Sequence, residues 1–368
     1  MTRKPEAPDQ PLRRGWTTGA CATAATKAAL TALLTGEFPD PVTITLPKGE
    51  RPSFALARHA RLEDGRCMAA VIKDAGDDPD VTHLAEIRAT VRRLPEGSGI
   101  VFKAGYGVGT VTKPGLPLAV GEPAINPVPR RLMTEVATEL TAAHHLPADI
   151  EIEISVPAGL ELAPKTWNPR LGILDGISIL GTTGVVNPFS CSAWIASIHR
   201  GIDVIRATGL THAAACTGST TEAAVQARYG LPDFAFIDMG DFAGGTLKYL
   251  RHHPVEKLTL AGGFGKFCKL ADGFLDLHSG RSQVNHEHLA AIVAELGGDA
   301  ALVEKVRSAN TAMEVLELSQ AAHLDLANVL AARAREVALE ACDRAVDIEI
   351  LIYDRKGGLV GHAGFAKP

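Results

Sequence analysis

The first half of the chain combines one alanine-rich stretch with several runs in which apolar and polar residues alternate. Alanines dominate residues 20–34, directly after Thr17 and Thr18, which predicts a first helix because alanine propagates a helix cheaply and threonine caps one. Residues 85–92 alternate strictly, as in a strand with one buried face. Similar runs occupy residues 42–46, 67–73, 100–103, 108–112 and 150–156, and one helical stretch covers residues 129–144. Clustered strands with helices at the ends indicate an α+β layer.

After Pro157 the pattern changes to short apolar runs, each leading into a turn rich in glycine, threonine or serine and then into a helical segment. The runs occupy residues 176–180, 211–215, 234–237 and 258–261, an order typical of a parallel sheet with crossover helices. Later stretches predict helices over 286–296, 301–306 and 324–342 and one more strand over 346–353.

These patterns predict an α+β N-terminal domain, with a two-layer, mixed or antiparallel sheet, followed by an α/β Rossmann-like three-layer domain. We place the first domain at residues 15–170 and the second at 171–368. Residues 1–14 are charged and proline-bearing, which predicts a disordered lead-in.

Charge and composition exclude several classes of protein. The 368 residues carry 37 basic and 42 acidic side chains, a net charge of −5, so we expect no nucleic-acid partner. No run of about 18 apolar residues predicts a membrane span, and the N-terminus lacks a signal-peptide core. The six cysteines lack CxxC spacing, which excludes zinc ribbons and favours apolar packing in a reducing cytoplasm. We therefore expect a cytoplasmic protein without a bound metal.

Four turns lie where the predicted parallel strands end, the position at which doubly wound sheets bind small molecules. They are Gly181-Thr182-Thr183-Gly184, Thr217-Gly218-Ser219-Thr220, Gly240 to Gly245 and Gly262-Gly263-Phe264-Gly265. Any one of them alone could be a plain tight turn, but four in succession predict a small-molecule cleft. None fits the Walker or dinucleotide fingerprint, which leaves open an adenosine-type cofactor without pyrophosphate. Asp238 or Asp241 is the expected ribose partner, with a plain helix cap as the alternative.

Acidic and basic side chains supply further candidates. The segment from Lys73 to Asp80 is rich in aspartates that do not follow the calcium-loop spacing, so it is either a solvated turn or a place for a cation or proton acceptor, with Asp74 and Asp77 as candidates. His278 is a weaker acid–base candidate. On loops, Lys113, Arg130, Arg131, Lys165 and Arg170 together predict a mouth that binds anions, because arginine binds carboxylates in bidentate fashion.

Long and unusual strings identify a family resemblance over most of the chain. They are RGWTTGAC from Arg14, KDAGDDPDVTH from Lys73, GYGVGTVTKPGL from Gly105, VGEPAINPVPR from Val120, KTWNPRLGILDGISILGTTG from Lys165 and GKFCKLADGFLDLHS from Gly265. In these strings the chain resembles the CbiD-type cobalt-precorrin-5B C1-methyltransferases of cobalamin biosynthesis. Trp16 stands where the family commonly has tyrosine, and Asp241 where asparagine is expected, which makes Asp241 a less secure cofactor contact.

The resemblance implies transfer of a methyl group from S-adenosylmethionine to ring carbon C1 of a polycarboxylated cobalt-containing tetrapyrrole, converting cobalt-precorrin-5B to cobalt-precorrin-6A. Rival interpretations are a nicotinamide-dependent tetrapyrrole reductase and a non-catalytic tetrapyrrole carrier, and a homo-oligomer is one alternative for the assembly state. Asp74, Asp77 and His278 are the catalytic candidates, the two aspartates as holders of the cofactor ammonium or proton acceptors.

The remaining candidates divide between cofactor and substrate. The expected cofactor contacts are Gly181, Thr182, Thr183, Gly184, Thr217, Gly218, Ser219, Asp238, Gly262, Gly263 and Gly265. The expected contacts to substrate carboxylates and their surroundings are Thr17, Thr18, Lys113, Arg130, Lys165, Arg170 and Lys266.

Overall fold

A computed structural model describes residues 11–366, which form two compact units that divide between Cys191 and Ser192. The division lies later in the chain than the expected boundary at 170/171. The reason is that three short strands between residues 173 and 186 pair with strands of the first unit. Residues 1–10 of the expected disordered lead-in lie outside the described residues, whereas Arg13 and Arg14 make defined contacts within the first unit.

From residue 11 onward, where the structure describes it, the first unit contains many short strands and three helices. Its strands are β1 (Gly15–Trp16), β2 (Val42–Thr43), β3 (Ser53–Phe54), β4 (Arg58–Arg61), β5 (Cys67–Ile72), β6 (Glu86–Arg93), β7 (Ile100–Ala104), β8 (Gly107–Val108), β9 (Thr110–Val111), β10 (Ile150–Ser155), β11 (Ile173–Leu174), β12 (Gly176–Ile177) and β13 (Val185–Val186). Its helices are α1 (Thr18–Thr35), α2 (Pro127–Ala143) and α3 (Gly159–Leu162), with a 3₁₀ turn at Ala163–Lys165.

The main sheet of this unit has five strands in the order β4-β5-β6-β10-β7. Neighbouring strands are antiparallel except for β10 and β7, which run parallel. The alternation in residues 85–92 is confirmed, since Ile87, Ala89 and Val91 are fully buried and point to one face. A mixed sheet packed against helices is therefore the architecture of the first unit.

Helix α1 forms the centre of this unit because its alanines leave no bulk on any side. It contacts β5 and β6 on one side and α2 on the other, and Ala20, Ala24 and Ala28 have no exposed surface. The Thr17 hydroxyl accepts a hydrogen bond from Ala20 N at 3.2 Å, which caps the first turn as expected. At the other end Gly36 adopts φ +98°, and its N–H bonds to Ala32 O.

The run at residues 176–180 was expected to open the parallel sheet, and that expectation is wrong. Only Gly176–Ile177 is extended, and it pairs in parallel with β8 in a separate two-stranded sheet of the first unit. The two backbones approach very closely, because a Cβ on Gly176 would stand 2.3 Å from Gly107 O. Pairs β11 with β9 and β13 with β1 hold the flanking residues to the same unit.

The second unit contains eight helices and five strands among the described residues. The helices are α4 (Cys191–Ala207), which starts at the division, α5 (Ser219–Tyr229), α6 (Ala243–Leu250), α7 (Phe264–Ala271), α8 (His286–Glu295), α9 (Ala300–Ser308), α10 (Ala312–Ala321) and α11 (Leu326–Ala341). The strands are β14 (His212–Cys216), β15 (Phe236–Asp238), β16 (Lys257–Gly263), β17 (Asp347–Tyr353) and β18 (Leu359–Ala366). Sequence reasoning missed α10 and β18.

These strands form one sheet in the order β15-β14-β16-β17-β18, parallel except for the edge strand β18. Alternate side chains along the strands point to opposite faces of the sheet and belong to two different apolar clusters. One contains Ile348 and Ile350 with side chains of α4, α6, α7, α8 and α11, and the other contains Leu351 with Val225 of α5. Helices therefore cover both faces of the sheet, and the structure as a whole is a mixed α/β protein with several sheets.

The packing around α1 predicts the effect of a larger side chain. We expect Ala24→Leu to lower the free energy of unfolding by about 1–3 kcal/mol, because a fully enclosed alanine leaves no room for the added carbons. The matched control is Ala142→Leu at an exposed position of α2, for which we expect a change within about 0.5 kcal/mol. Urea unfolding of both variants tests this, and equal stabilities would contradict the central position of α1.

Candidate functional site

The carboxyl ends of β14 and β16 lie side by side in the second unit, at the point where the direction of winding reverses. The chain leaves β14 through α5 and returns as β15 on one side, whereas it leaves β16 through α7 and returns as β17 on the other. Such a reversal opens a crevice between the two diverging connections, which is where open α/β sheets bind ligands. We call this place the β14–β16 crevice.

Two helix N-termini reach this crevice without a side-chain cap. Gly218 precedes α5 and Gly263 precedes α7, and because glycine has no side chain, neither residue caps the N–H groups of its helix. A Cβ added at either glycine would meet nothing within 4 Å, so both open onto free space. The uncapped N–H groups and the helix dipoles favour a carboxylate or hydroxyl of a ligand here.

The turn after β14 packs directly against the last residues of β16, which runs into α7 without the turn that the sequence predicted. Thr217 N donates to Ala261 O at 3.0 Å, and a Cβ on Gly262 would lie 2.6 Å from the Thr217 hydroxyl oxygen. Only glycine fits at position 262 without a shift of that side chain. The structure thus brings together five of the expected cofactor residues, Thr217, Gly218, Ser219, Gly262 and Gly263, and places Gly265 in the first turn of α7.

The end of β15 adds a third side to the crevice region. Asp238 pairs with Cys216 of β14, and its carbonyl oxygen accepts a hydrogen bond from the Trp194 indole at 3.0 Å. The Trp194 ring also lies over Gly240, which adopts φ +55°. Sequence reasoning missed Trp194, although the chain has only three tryptophans and this one is 44% exposed.

Lys266 is engaged within the protein. Its amino group donates to Thr217 O at 3.1 Å and lies 3.1 Å from Asp241 Oδ1. These contacts argue against the expected role of Lys266 toward a substrate carboxylate. They also give Asp241 a protein partner in place of a ribose.

The turn Gly181 to Gly184 belongs to the first unit and contacts the start of α1. Thr17 N donates to Gly184 O at 3.0 Å, Gly19 N donates to Leu180 O at 2.9 Å, and a Cβ on Gly181 would lie 2.3 Å from the Thr17 hydroxyl oxygen. The prediction that this turn follows a strand of the parallel sheet is therefore wrong. Thr182 is exposed, whereas the Thr183 hydroxyl bonds within the turn to Val185.

Thr17 and Thr18 serve this same junction. Both are buried, the Thr17 hydroxyl caps α1, and the Thr18 hydroxyl exchanges hydrogen bonds with the backbone of Leu180. Their hydroxyls are used inside the protein, which argues against the substrate contacts expected from the sequence.

The aspartates of the acidic segment bind the N-terminal chain and neighbouring loops. Arg13 forms a two-pronged contact with the Asp74 carboxylate, and its backbone N–H donates to Asp77 Oδ2 at 2.6 Å. Asp78 accepts from Phe189 N at 2.8 Å, in the segment that follows β13. Lys73 is 1% exposed and pairs with Asp80 at 2.6 Å. The segment is thus a junction between three parts of the first unit.

The charge state of Asp74 follows from this contact. The hydrogen bond from Arg13 lowers the pKa of the Asp74 carboxyl to about 2, with a smaller contribution from Gly76 N–H. A carboxylate of such low basicity is a poor proton acceptor at neutral pH. The structural interpretation of the acidic segment is therefore favoured over the catalytic one for Asp74 and Asp77.

His278 occupies an exposed turn between α7 and α8. Its Nδ1 accepts from Gly280 N at 3.0 Å, and its carbonyl oxygen accepts from Arg281 N and Ser282 N at 2.9 Å each. Because Nδ1 accepts a hydrogen bond, the neutral ring carries its proton on Nε2. That leaves Nε2 as a donor, so His278 is not arranged as a general base.

The basic loop residues of the first unit divide into two groups. Arg130 donates to Ile125 O at 2.8 Å, to Glu122 at 2.9 Å and to Pro123 O at 3.0 Å. These three contacts occupy its guanidinium, so a role in binding substrate carboxylates is disfavoured for Arg130.

Lys113, Lys165 and Arg170 form the second group, which we call the basic loop cluster. The Lys113 side chain packs on Gly172, where a Cβ would stand 2.4 Å from its Cγ, and the Arg170 guanidinium lies 5.5 Å from the centre of the Trp167 ring. Asn168 between them is buried and bonds to Gly176 O and to the Ser178 hydroxyl, each at 3.2 Å. Asn168 thus ties the loop that carries Lys165 and Arg170 to β12.

Other kinds of site are not found in residues 11–366. Across that range, no group of three or more histidine, cysteine, aspartate or glutamate side chains is placed to hold a metal ion. No helix there is long and apolar enough to cross a membrane. Five of the six cysteines are buried and none is in a disulfide, and burial raises the pKa of Cys21 to about 12. These thiols act as small apolar side chains.

Comparison with known proteins decides the family. The model of the CbiD family matches residues 5–188, and the model described as the C-terminal domain of CbiD matches residues 276–364. The chain belongs to the CbiD family. The matched segments include the acidic junction and the basic loop cluster of the first unit.

Several relatives within the family are very similar. The proteins named cobalt-precorrin-5B C(1)-methyltransferase from Brucella anthropi and Brucella abortus are each 63% identical over 95% of this chain and 95% of their own. The protein of that name from Brucella ovis is 62% identical over the same shares. A 1.9 Å crystal structure of the cobalamin biosynthesis protein CbiD from Archaeoglobus fulgidus is 30% identical, with a TM-score of 0.39 over 69% of this chain and 78% of that one.

The Arg13–Asp74 contact predicts a defined pH dependence. Since the pKa of Asp74 is lowered by folding, the contact stabilises the protein above the unfolded pKa of about 3.8 and is lost as the pH falls through about 2. We expect wild type to be more stable than Arg13→Ala at pH 5–7, with the difference vanishing near pH 2 and shrinking in high salt, because both side chains are about half exposed.

Urea unfolding of both proteins across this pH range is the measurement. Arg51→Ala, at another exposed arginine of the first unit, is the control and should show no such pH dependence. A wild-type advantage that grows as the pH falls below 4 would show that Asp74 does not hold its charge through Arg13.

Proposed function

We propose that this chain transfers a methyl group from S-adenosylmethionine to ring carbon C1 of cobalt-precorrin-5B. The observation that carries the proposal is the 63% identity over 95% of both chains with proteins named for that reaction. Identity at this level along nearly the whole length supports a shared reaction as well as a shared fold. The test is to incubate the purified protein with cobalt-precorrin-5B and methyl-labelled S-adenosylmethionine, and to find the label on the tetrapyrrole.

That experiment also separates the alternative functions. A non-catalytic carrier would bind the tetrapyrrole without transferring label. A reductase would be protected against thermal unfolding by a reduced nicotinamide and not by S-adenosylmethionine. Either result would refute the proposal.

The β14–β16 crevice is our proposed site for the methyl donor, in a second unit that we regard as Rossmann-like. Gly218 and Gly263 leave room at two helix starts, and the uncapped N–H groups there suit the carboxylate and hydroxyl groups of such a ligand. Asp238, half-buried at the end of the adjacent strand, is the proposed ribose partner. When bound, S-adenosylmethionine supplies an electrophilic methyl group on a positively charged sulfur.

The basic loop cluster is our proposed site for the substrate carboxylates. Lys113, Lys165 and Arg170 are at least partly exposed on loops whose backbone is held by Asn168 and by the β9–β11 pair. Arginine and lysine on a rigid loop can bind carboxylates without the further cost of ordering the loop backbone. A polycarboxylated tetrapyrrole is the ligand class that matches such a cluster.

Catalysis in this proposal consists mainly of positioning. An electron-rich ring carbon needs no strong base to attack a sulfonium methyl, but donor and acceptor must be held in line at about 3–3.5 Å. Hydrogen bonds inside the protein support this view, because Asp74 and Asp77 accept from Arg13 and the His278 ring accepts from Gly280 N in its own turn. Excluding water from the reacting atoms is the further contribution expected of the protein, since water stabilises the concentrated charge of the donor best.

A methyl group on Gly263 should obstruct the donor without harming the fold. Because a Cβ at this position meets no protein atom within 4 Å and φ is −73°, we expect Gly263→Ala to cost at most about 1 kcal/mol of stability. We expect its dissociation constant for S-adenosylmethionine to rise about tenfold or more.

Calorimetric titration measures this, with Gly201→Ala as the matched control. Gly201 lies within α4, where a Cβ also meets nothing within 4 Å, so that variant should bind the donor as wild type does. Unchanged donor affinity in Gly263→Ala would move the cofactor site away from the β14–β16 crevice.

Removing one cation of the basic loop cluster should affect the substrate alone. We expect Arg170→Ala to raise the KM for cobalt-precorrin-5B about tenfold or more, since each charged hydrogen bond contributes about 1.5–3 kcal/mol, and to leave the KM for S-adenosylmethionine unchanged. Steady-state kinetics with each substrate varied in turn is the measurement, with Arg51→Ala as the control. Equal effects on both constants would remove Arg170 from substrate binding.

A further inference from the structure

The turns after β14 and β15 and the first turn of α7 meet at the amino group of Lys266. Lys266 lies in that first turn of α7, directly after Gly265. Its Nζ donates to Thr217 O in the turn after β14, at 3.1 Å, and lies 3.1 Å from Asp241 Oδ1 in the turn after β15. The Lys266 ammonium group therefore contacts the connection from β14 to α5 and the connection from β15 to α6.

Asp241 depends on this ammonium. Its Oδ1 atom is fully buried and has no hydrogen-bond donor among the described residues, and its nearest compensating charge is that of Lys266 at 3.1 Å, with Lys269 acting on the carboxylate from a greater distance. The Asp241 carbonyl oxygen in turn accepts from Leu277 N at 2.9 Å, which fixes the backbone at that position. Removal of the ammonium would leave a buried carboxylate oxygen without its closest compensating charge, and we expect the turn to shift so that water reaches it.

Thr217 is the second part of the arrangement. Its N–H bonds to Ala261 O and its side chain fills the space above Gly262, so a displacement of Thr217 moves the start of α5 relative to β16. The next residues, Gly218 and Ser219, carry the uncapped N–H groups of α5. The contact from Lys266 to Thr217 O therefore sets where these groups point.

From this geometry we infer that Lys266 is a positioning residue for the methyl-donor site: with Asp241 it holds the starts of α5 and α7 in one arrangement around the β14–β16 crevice. The inference rests on the proposed function for the identity of the ligand. It assigns Lys266 no contact with a substrate carboxylate. Its consequence is that Lys266 acts on the donor through Thr217 and Asp241, and that the two charged residues act as one unit.

The first test needs no ligand. Hydrogen–deuterium exchange of wild type, Lys266→Met and Lys266→Arg compares the amides of residues 217–222 and 239–242. We expect exchange about tenfold or more faster in Lys266→Met and near wild type in Lys266→Arg, because a guanidinium can still donate to Thr217 O and pair with Asp241. Lys248→Met, at an exposed lysine of α6, is the matched control and should not change these amides. Unchanged exchange in Lys266→Met would overturn the inference, whatever the ligand is.

The second test measures binding of S-adenosylmethionine and its demethylated product by calorimetry, beside steady-state kinetics. We expect Lys266→Met to weaken donor binding about tenfold without changing the KM for cobalt-precorrin-5B at saturating donor. We expect Asp241→Asn, which keeps an acceptor oxygen but loses the charge, to weaken it less. In the double variant the loss should not exceed that of Lys266→Met alone, because both substitutions break one contact.

The outcomes separate this inference from the proposed function. A raised KM for cobalt-precorrin-5B in Lys266→Met, with donor affinity unchanged and no coupling to Asp241→Asn, would show a direct substrate contact and refute the inference. Should Lys266→Met fail to fold, Asp241→Asn by itself still tests the inference, and unchanged donor affinity together with unchanged amide exchange over residues 217–222 in that variant would refute it. Wild-type protein that binds no donor and transfers no methyl would refute the proposed function, while the exchange result would still decide the role of Lys266.

Discussion

Close approach of backbone segments that are distant in the sequence is the constraint on which both units depend. In the second unit Gly262 allows the turn after β14 to lie against β16, and any side chain there would meet Thr217. In the first unit Gly107 and Gly159 touch so closely that a Cβ on either would stand within about 2 Å of the other backbone or of Val156 O. With a side chain at any of these points the two strand ends, or the two loops, could not come together, and the arrangements that depend on them would be lost.

The charged residues of the strings that carry the family resemblance fall into two groups. Those of the acidic junction, Lys73 and Asp80 among them, are matched with partners inside the first unit and stabilise its loops. Those of the basic loop cluster stand on a loop held by Asn168 and are at least partly exposed. Rigid support lowers the entropy that ligand binding would otherwise cost, which is why the second group is the better candidate for recognition of an anionic substrate.

A methyltransferase that relies on position rather than acid–base chemistry needs geometry more than it needs tuned side chains. The structure is consistent with that requirement, since Asp74 is held ionised by Arg13 and the crevice is lined by backbone and glycine. Backbone N–H groups at a helix start have fixed directions, whereas a long side chain must be ordered first. Lys266 and Asp241 add charge at the place where those directions are set.

The amino-acid sequence by itself determined the elements with a strong period or a long apolar run. Helix α1 with its threonine cap, the alternating strand β6, and the strands β14 and β16 with their glycine turns all follow from local pattern, because propensity and burial act along the chain. Its strings of motifs also determined the family. Short strands such as β12, and the late strand β18, had no such signal, since two residues or an edge position carry no clear period.

Only the tertiary structure decided which partners the charged motif residues have in the protein. Arg13 and Asp74 are 61 residues apart, and Lys266 lies 49 residues from Thr217, so no local pattern pairs them. The same holds for the turn Gly181 to Gly184, whose glycines read like a strand-end loop but pack against Thr17. Hydrogen-bond partners of a charged side chain are set by distances across the fold, and a sequence specifies those distances only through the folded chain.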